Sequence, residues 1–328
     1  MALRPARVEP QFVPRIWGAQ SLAPLFPEKQ SLREPIGEVW LTGNECRFAD
    51  GPFAGERLED AWPRMSEEWA GKRARSSEPF PVLVKFLFPE DKLSVQVHPD
   101  DDYAMRNEAA AGGVGKTEMW YVVSARPGAE VRVGLKPEIN AQSFRQAIAD
   151  NSAEDLLDRI PVRAGDAIFV PSGTVHTIGP GMVLCEVQQN SDITYRVFDF
   201  HRLDPKGKPR ELHIEKALDV IRFGKQQGGK VTLARENERA GDAIVLVDCP
   251  YFSVVKFAFS EPQELADSDG KLELIIVLEG SGTLRTQPGD ATIEYSRAQA
   301  WLVPSGLQDR LYEPKEATTI LCVSVPEA

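Results

Sequence analysis

Gly165-Asp-Ala-Ile-Phe-Val-Pro171-Ser-Gly173-Thr-Val-His176 is the stretch on which the reading of this chain turns. Ala167–Val170 is a short run of β-forming residues, bounded by Gly165-Asp166 and a Pro-Ser-Gly turn, and a histidine follows. The chain has only four histidines. A second one, His98, closes Leu93-Ser-Val-Gln-Val-His98. On a strand, side chains alternate, so Ser94, Gln96 and His98 share one face while Leu93, Val95 and Val97 pack on the other. Glu118 opens the next strand-like run. A β-barrel can therefore bring Gln96, His98, Glu118 and His176 together as a two-imidazole, one-carboxylate, one-amide ligand set. Imidazole suits Zn, Fe, Ni or Cu, and the oxygen ligands also admit Mn or Co. The set lacks the thiolates of most structural zinc sites, which points to a metal with open coordination positions.

Most other strong segments also read as strands. Val82–Phe88, Met119–Val123, Glu130–Gly134, Met182–Gln188, Ile244–Val247, Phe252–Phe259, Leu272–Leu278 and Gln299–Val303 are short, rich in β-branched and aromatic residues, and bounded by turn formers. Many such strands predict a sandwich or barrel. Three segments carry helical spacing: Leu58–Ala70, Asn140–Ile160 and Glu211–Phe223. Asp150-Asn151-Ser152 is expected to split the second into two helices, and Gly224 to stop the third. Lys225-Gln-Gln-Gly-Gly-Lys230 reads as a linker, which divides the chain into residues 1–229 and 230–328.

The two parts share a weak repeat. Gly165-Asp-Ala-Ile-Phe-Val-Pro-Ser-Gly173 is similar to Ala298-Gln-Ala-Trp-Leu-Val-Pro-Ser-Gly306, and Glu118-Met-Trp-Tyr-Val-Val to Glu273-Leu-Ile-Ile-Val-Leu. The second copy has no histidine, and Gln308 falls near the place of His176. Two similar β-domains are expected, only the first equipped for a metal. The second is expected to cover an edge of the first.

Composition narrows the function. The 328 residues, 42% hydrophobic and 27% charged, are ordinary for a globular protein. A net charge of −11 argues against nucleic-acid binding. The short basic runs Lys72/Arg73/Arg75 and Lys206/Lys208/Arg210 read as solvated loops. Cysteines 46, 185, 249 and 322 form no Cys-x-x-Cys pair, which suits reduced thiols in a cytoplasmic protein. No leader-like or membrane-length apolar run is evident, so no membrane partner is expected.

Gly165-x5-Pro171-x-Gly173-x2-His176 resembles the second motif of the cupin family. The motif's usual Asn is replaced by Pro180, and Gln-x-His stands where the first motif has His-x-His. With those departures, Leu93-Ser-Val-Gln-Val-His-Pro-Asp-Asp101, Lys116-Thr-Glu-Met-Trp120 and Gln189-Asn-Ser-Asp-Ile-Thr-Tyr-Arg196 resemble the type I phosphomannose isomerases. So do Arg15-Ile-Trp-Gly18, Gly37-Glu-Val-Trp40 and Leu212-His-Ile-Glu-Lys-Ala-Leu218. The resemblance implies a mainly β fold of two cupin (jelly-roll) barrels with a few short helices. It also implies a zinc-dependent interconversion of mannose 6-phosphate and fructose 6-phosphate, with Gln96, His98, Glu118 and His176 as metal ligands. By the same resemblance, Arg196, Lys116, Glu186 and Asp192 are catalytic candidates. Ser94, Lys85 and Arg202 are placed near the phosphate, and Trp17 in a pocket wall. Only 57 residues separate Glu118 from His176, so the chain is similar to the short bacterial form. Gly115 stands where some members carry a histidine, and His201 and His213 are read as structural.

Aldose–ketose isomerisation moves a proton between two carbons through an enediol whose oxygens gain negative charge. A divalent metal, with Mn, Co or Fe as alternatives to zinc, and a fixed arginine suit that task. A base must also take and return the proton. Lys116, Glu186 and Asp192 all remain open for that role. The expected partner is a small sugar phosphate, and the assembly a monomer or homodimer. An iron dioxygenase, another sugar-modifying cupin and a non-catalytic sugar-phosphate binder are the competing readings.

Overall fold

Apolar residues recur at every second position of the central strands, and both sets are buried. In Glu118–Ala125, Met119 and Tyr121 belong to one apolar cluster, while Trp120 and Val122 belong to another. Val82–Leu87 sends Val82, Val84 and Phe86 into the first cluster, and Met182–Gln189 sends Val183, Cys185 and Val187. Side chains of a strand alternate between its two faces, so a sheet so built must be covered on both sides.

The structure is a computed structural model that describes residues 3–71, 79–204, 206–224, 228–232, 241–265, 270–287 and 291–326. Two pairs of antiparallel sheets form it. In the first pair, a seven-stranded sheet runs in the order Gly229–Lys230, Ala167–Val170, Glu118–Ala125, Met182–Gln189, Val82–Leu87, Ile36–Trp40, Gln11–Ala19. It faces a five-stranded sheet of Tyr195–Phe198, Val95–Val97, His176–Ile178, Glu130–Leu135 and Leu157–Pro161. The second pair has six strands (Ala6–Val8, Ala300–Val303, Glu273–Glu279, Thr318–Ser324, Ser253–Phe259, Ile244–Asp248) and four (Gln263–Leu265, Gln308–Pro314, Ser281–Gln287, Ala291–Ser296). Both pairs are cupin-like sandwiches whose sheets do not close into continuous barrels. The expected mainly β, double-cupin fold is the fold observed.

The two halves share a core. Val84, Phe86, Met119 and Val187 of the seven-stranded sheet join Leu274, Ile276, Leu302, Leu321 and Val323 of the six-stranded sheet in one cluster. The second half thus covers a face of the first rather than an edge. The first strand, Ala6–Val8, pairs with Ala300–Val303 and adds the start of the chain to the second half's sheet. Gly229–Lys230, expected in the linker, extends the seven-stranded sheet beside Ile168 and Phe169.

Local departures from the sequence reading have local causes. Leu58–Ala70 is three short helical pieces, Leu58–Ala61, the 3-10 turn Trp62–Arg64 and Glu67–Ala70, because Pro63 lacks the N–H that a continuous α-helix needs. Within Asn140–Ile160 a helix spans Ala141–Ala149, started by the Asn140–Ser143 capping box and followed by Asn151 at φ 60°. The expected second helix is instead a 3-10 turn and the strand Leu157–Pro161, which pairs with Glu130–Leu135. The spacing of Leu156, Leu157 and Ile160 fits either state, and the open sheet edge decides it. Glu211–Phe223 is helical only over Ile214–Val220, because residues 211–213 pair with Arg196: His213 N donates to its carbonyl at 2.8 Å. A further helix, Asp101–Asn107, is capped by the Asp100 carboxylate. Lys72, Arg73, Arg75 and Lys225–Gln227 lie outside the described residues.

Strand register makes the internal repeat explicit. Glu118 pairs with Val170, and Glu273 with Val303, each valine leading into Pro-Ser-Gly. His176 pairs with Gln96, and at the matching place Arg310 pairs with Leu265. Arg310, not the exposed Gln308, therefore holds the place of His176. Its guanidinium is buried and forms an ion pair with Glu273. Both halves keep a buried carboxylate, and the second sets a fixed cation beside it where the first has two imidazoles. Breaking one partner of such a buried pair costs roughly 3–5 kcal/mol, while replacing both with apolar groups is close to neutral. Arg310→Leu is therefore expected to lose stability of that order in urea unfolding, and Glu273→Met/Arg310→Leu to regain most of it. An unchanged midpoint in the single variant would contradict this role.

Candidate metal centre and active site

The turn that delivers His176 is bonded to the strand that delivers His98. Gly173 lies at φ 79°, and its N–H donates to the His98 carbonyl at 2.8 Å. A Cβ there would approach Val220 O to 2.8 Å, so the sharp turn requires glycine. One register further on, His176 and Arg196 flank Gln96 on its two neighbouring strands. On the facing sheet, Trp120, Glu186 and Lys85 form a cross-strand row. Lys116 enters beside Glu118, its backbone N–H held by Pro99 O at 2.9 Å.

His98, Glu118 and His176 are buried, and their ligand atoms lie within 4.8 Å of one another. His98 Nδ1 meets Ile193 O at 2.8 Å and His176 Nδ1 meets Thr174 O at 2.9 Å. A carbonyl only accepts, so both Nδ1 atoms carry the proton and both Nε2 lone pairs face inward. Glu118 Oε1 stands 3.2 Å from His176 Nε2, and Oε2 stands 3.8 Å from His98 Nε2. His98 Nε2 and both Glu118 oxygens are buried without a hydrogen bond of regular geometry. Burial, reinforced by Lys116, keeps His98 far below the usual imidazole pKa, and burial brings His176 down to about 4. Both rings are thus neutral and able to donate. Burial, with Glu186 adding to it, pushes Glu118 up. A cation among these atoms would remove that penalty, so the donor set fits a divalent metal. Gln96 Nε2 lies 3.3 Å from His176 Nε2, and the amide can ligate only by turning its oxygen inward.

Around this centre the charges alternate. Lys116 Nζ is 2.9 Å from Glu118, and Lys85 Nζ is 2.9 Å from Glu186 and 3.9 Å from Glu38. Arg15 Nε and Trp40 Nε1 donate to Glu38 at 2.9 and 2.6 Å. Trp120 Nε1 donates to Glu186 at 3.1 Å. Burial works to raise Glu186, but Lys85 and Lys116 outweigh it and keep the carboxylate ionised. Burial likewise works against the Lys85 charge, and Glu186 and Glu38 outweigh it.

These groups line a cavity of about 410 Å³. It brings together Gln96, Glu118, Lys116, Glu186, Asp192, Arg196, Ser94, Lys85 and Trp17 from the sequence reading. Asp192 is exposed at the mouth, and Trp17 is a buried wall. Arg196 Nε donates to Ser94 Oγ at 3.2 Å. Arg202 is outside the lining: it is tied to Asp199, Asp91 and the Lys92 carbonyl. The sequence reading missed Arg15, Glu38, Trp120, Thr194, Arg210 and His213 as lining residues. Glu38 carried a signal, a carboxylate inside the apolar strand Ile36–Trp40. Arg210 sat in a run read as solvated and His213 was read as structural, so neither could be found that way. Gly115 is required, because a Cβ there would lie 2.6 Å from the Asp100 carbonyl carbon and the Asp101 nitrogen.

A cupin-like sandwich with a buried His/Glu/His centre and a sugar-sized polar cavity defines a metal-binding cupin enzyme. Comparison with known proteins is more specific. Residues 6–113 match phosphomannose isomerase type I, catalytic domain. The mannose-6-phosphate isomerase of Streptococcus mutans serotype c is 36% identical over 315 residues, covering 93% of this chain and 96% of that protein. The crystal structure of the Bacillus subtilis mannose 6-phosphate isomerase superposes with a TM-score of 0.86 at 31% identity, covering 97% of this chain and 99% of the other. A zinc-bound mannose 6-phosphate isomerase shares the fold, with a TM-score of 0.75, 15% identity and coverage of 98% and 100%. The chain belongs to the type I phosphomannose isomerase family.

Removal of a direct ligand is expected to weaken metal binding by more than the roughly 10–100-fold typical of outer partners. His98→Ala and His176→Ala should therefore emerge from dialysis nearly metal-free in elemental analysis, while the parent protein keeps one ion per chain. Equal metal content in all three would place the ion elsewhere.

Proposed function

We propose that this protein interconverts mannose 6-phosphate and fructose 6-phosphate, and that the ion held by Gln96, His98, Glu118 and His176 is zinc. The observation that carries the reading is the cavity itself. Its lining includes Glu118 and Gln96 of the metal centre, and also a half-buried arginine, Arg196, with Ser94 as its hydroxyl partner. Family membership and the zinc-bound relative support it. Zinc, when bound, supplies Lewis-acid stabilisation of oxygen charge on the substrate.

The chain's own residues do the rest. Arg196 and Ser94 take the phosphate oxygens, since a guanidinium and a hydroxyl match their acceptors. Trp17, Trp120 and Leu87 line the cavity with apolar surface and limit water. Lys85, clamped as an ammonium, donates to a sugar hydroxyl and fixes C1 and C2. Glu186 orients Lys85 and, held ionised by the Lys85 ammonium, is a poor base. Lys116 acts as the free amine once a bound ion takes over its pairing with Glu118, and in that form takes the proton from C2 and returns it to C1. The hydroxyl proton of O2 passes to O1, so the aldose becomes the ketose with no net redox change. Asp192 at the exposed mouth exchanges protons with solvent.

Residues 1–229 form the catalytic domain in this reading, and residues 230–328 a metal-free cupin-like domain. All proposed site residues come from one chain, so a monomer suffices and a homodimer would act at two separate sites. The four cysteines are unpaired, which supports a reducing, cytoplasmic setting. No helix among the described residues is long and apolar enough to cross a membrane.

A coupled assay tests the reading. Purified protein should produce fructose 6-phosphate from mannose 6-phosphate, lose activity on chelation and regain it with zinc. Lys116→Ala should lower kcat by roughly 10²–10⁴-fold, the usual weight of a positioned acid–base group. It should also slow exchange of the C2 proton with solvent deuterium. No turnover by the metal-loaded parent protein would overturn the isomerase reading and favour another sugar substrate.

A further inference from the structure

Asp199 grips two guanidinium groups at once. Arg210 Nε donates to its Oδ2 at 2.7 Å and Arg210 Nη2 donates to Oδ1, so the pair is bidentate. Arg202 Nη2 donates to the same Oδ1 at 2.6 Å. The two arginines then part. Arg202 is sealed on the outside by Asp91, the Lys92 carbonyl and the Phe200 ring. Arg210 lines the cavity, as Arg196 does.

The backbone is bent to achieve this. Phe200 and His201 both adopt left-handed φ, at 53° and 56°, a conformation that costs energy in residues with a Cβ. The chain then returns through a bridge between Leu203 and Pro209, with the Asp204 carboxylate accepting from Lys206 N and Lys208 N at 2.8 Å each. A solvated loop would need none of this. Asp199 itself is buried, at 6% exposure. Three guanidinium groups, those of Arg196, Arg202 and Arg210, gather around Asp199, with Asp91 as a further carboxylate on Arg202 alone; burial first, and then Arg210 and Arg202, work against the Arg196 charge. Asp199 occupies Nε and Nη2 of Arg210, which leaves Nη1 without a partner among the described residues. A buried carboxylate that presents an arginine edge-on to a cavity, with surplus positive charge beside it, is a receptor for a dianion.

We propose that Arg210 is a specificity-determining residue for the phosphomonoester of the substrate, forming the second jaw of a clamp with Arg196, and that Asp199 is its positioning residue. The inference rests on the sugar-phosphate reading above. It adds that selection for a phosphorylated over a free sugar is made by the Asp199–Arg210 pair, on the segment 199–210 that connects the strand Tyr195–Phe198 to residues 211–213.

The test uses the full-length, zinc-loaded protein with mannose 6-phosphate, with unphosphorylated mannose and with inorganic phosphate as inhibitor. Arg210→Ala should raise KM for mannose 6-phosphate at least tenfold with kcat within about threefold. The inhibition constant of inorganic phosphate should rise in parallel, and the residual rate on free mannose should not change. Arg210→Lys should fall between. Asp199→Asn should shift KM and phosphate inhibition in the same direction, with partial recovery in Asp199→Glu. Metal content and thermal unfolding identify a variant that has failed to fold, and Arg210→Ala, on the rim, carries the test if Asp199→Asn does so. Unchanged KM and phosphate inhibition in Arg210→Ala, or an equal loss on mannose and mannose 6-phosphate, overturns the clamp. If the parent protein does not turn over mannose 6-phosphate, the isomerase reading fails by itself. Calorimetric titration of inorganic phosphate into the parent and Arg210→Ala then still decides whether Arg210 forms an anion site.

Discussion

The alternation of side chains in the seven-stranded sheet governs this molecule. Val82, Val84 and Phe86, Met119 and Tyr121, and Val183, Cys185 and Val187 all point to the core shared with the second half. Their neighbours in sequence must then point the other way, and those neighbours include Lys85, Glu118, Trp120 and Glu186. A one-residue slip in any of these strands would put charge into the shared core and apolar groups into the cavity. The same apolar packing that fixes register therefore also fixes the active-site row. Each fully buried aliphatic or aromatic side chain contributes roughly 1.5–3 kcal/mol. The shared core contains dozens of such groups, enough to hold ionised residues in a site that offers them little water.

Buried charge needs partners, and the site is organised around finding them. Arg15, Glu38, Lys85, Glu186, Lys116 and Glu118 alternate in sign from the rim to the centre. The series ends at Glu118 between two imidazoles that burial keeps neutral. Lys116 offsets part of the cost of desolvating that carboxylate and the neutral rings none of it, which is why the centre fits a further cation. The second half solves the same problem with Arg310 and needs no ion. Two copies of one architecture thus meet a buried glutamate in two chemically different ways.

Much of this was legible in sequence because it depends on short-range pattern. The β period, the Pro171-Ser-Gly173 turn, and the shared face of Ser94, Gln96 and His98 are local facts, and local geometry preserved them. What was not legible depends on tertiary pairing. Leu157 and Ile160 fit a helix by spacing, yet they complete a sheet edge. Arg202 and Arg210 look equivalent in a polar loop, and only the bend at Phe200 and His201 turns one outward and the other into the cavity. Arg310 was hidden because it lies four residues after Gly306 whereas His176 lies three after Gly173, so the offset falls on Asp309 and Gln308 stands beside it. Glu38 lay within a quoted motif, and its role follows from the contacts of Arg15, Trp40 and Lys85 that the fold alone assembles.

The ion pair of Arg310 with Glu273 bears on how the chain matures. A half whose internal cation is covalently part of the polypeptide satisfies its buried glutamate on folding, whatever the supply of metal. Its apolar sheet face is then available as a template on which the catalytic half can set its strands before any ion arrives. Hydrogen exchange of the apoprotein would register this as strong protection of the strands Glu273–Glu279 and Thr318–Ser324, with loosening confined to the segments that carry His98 and His176.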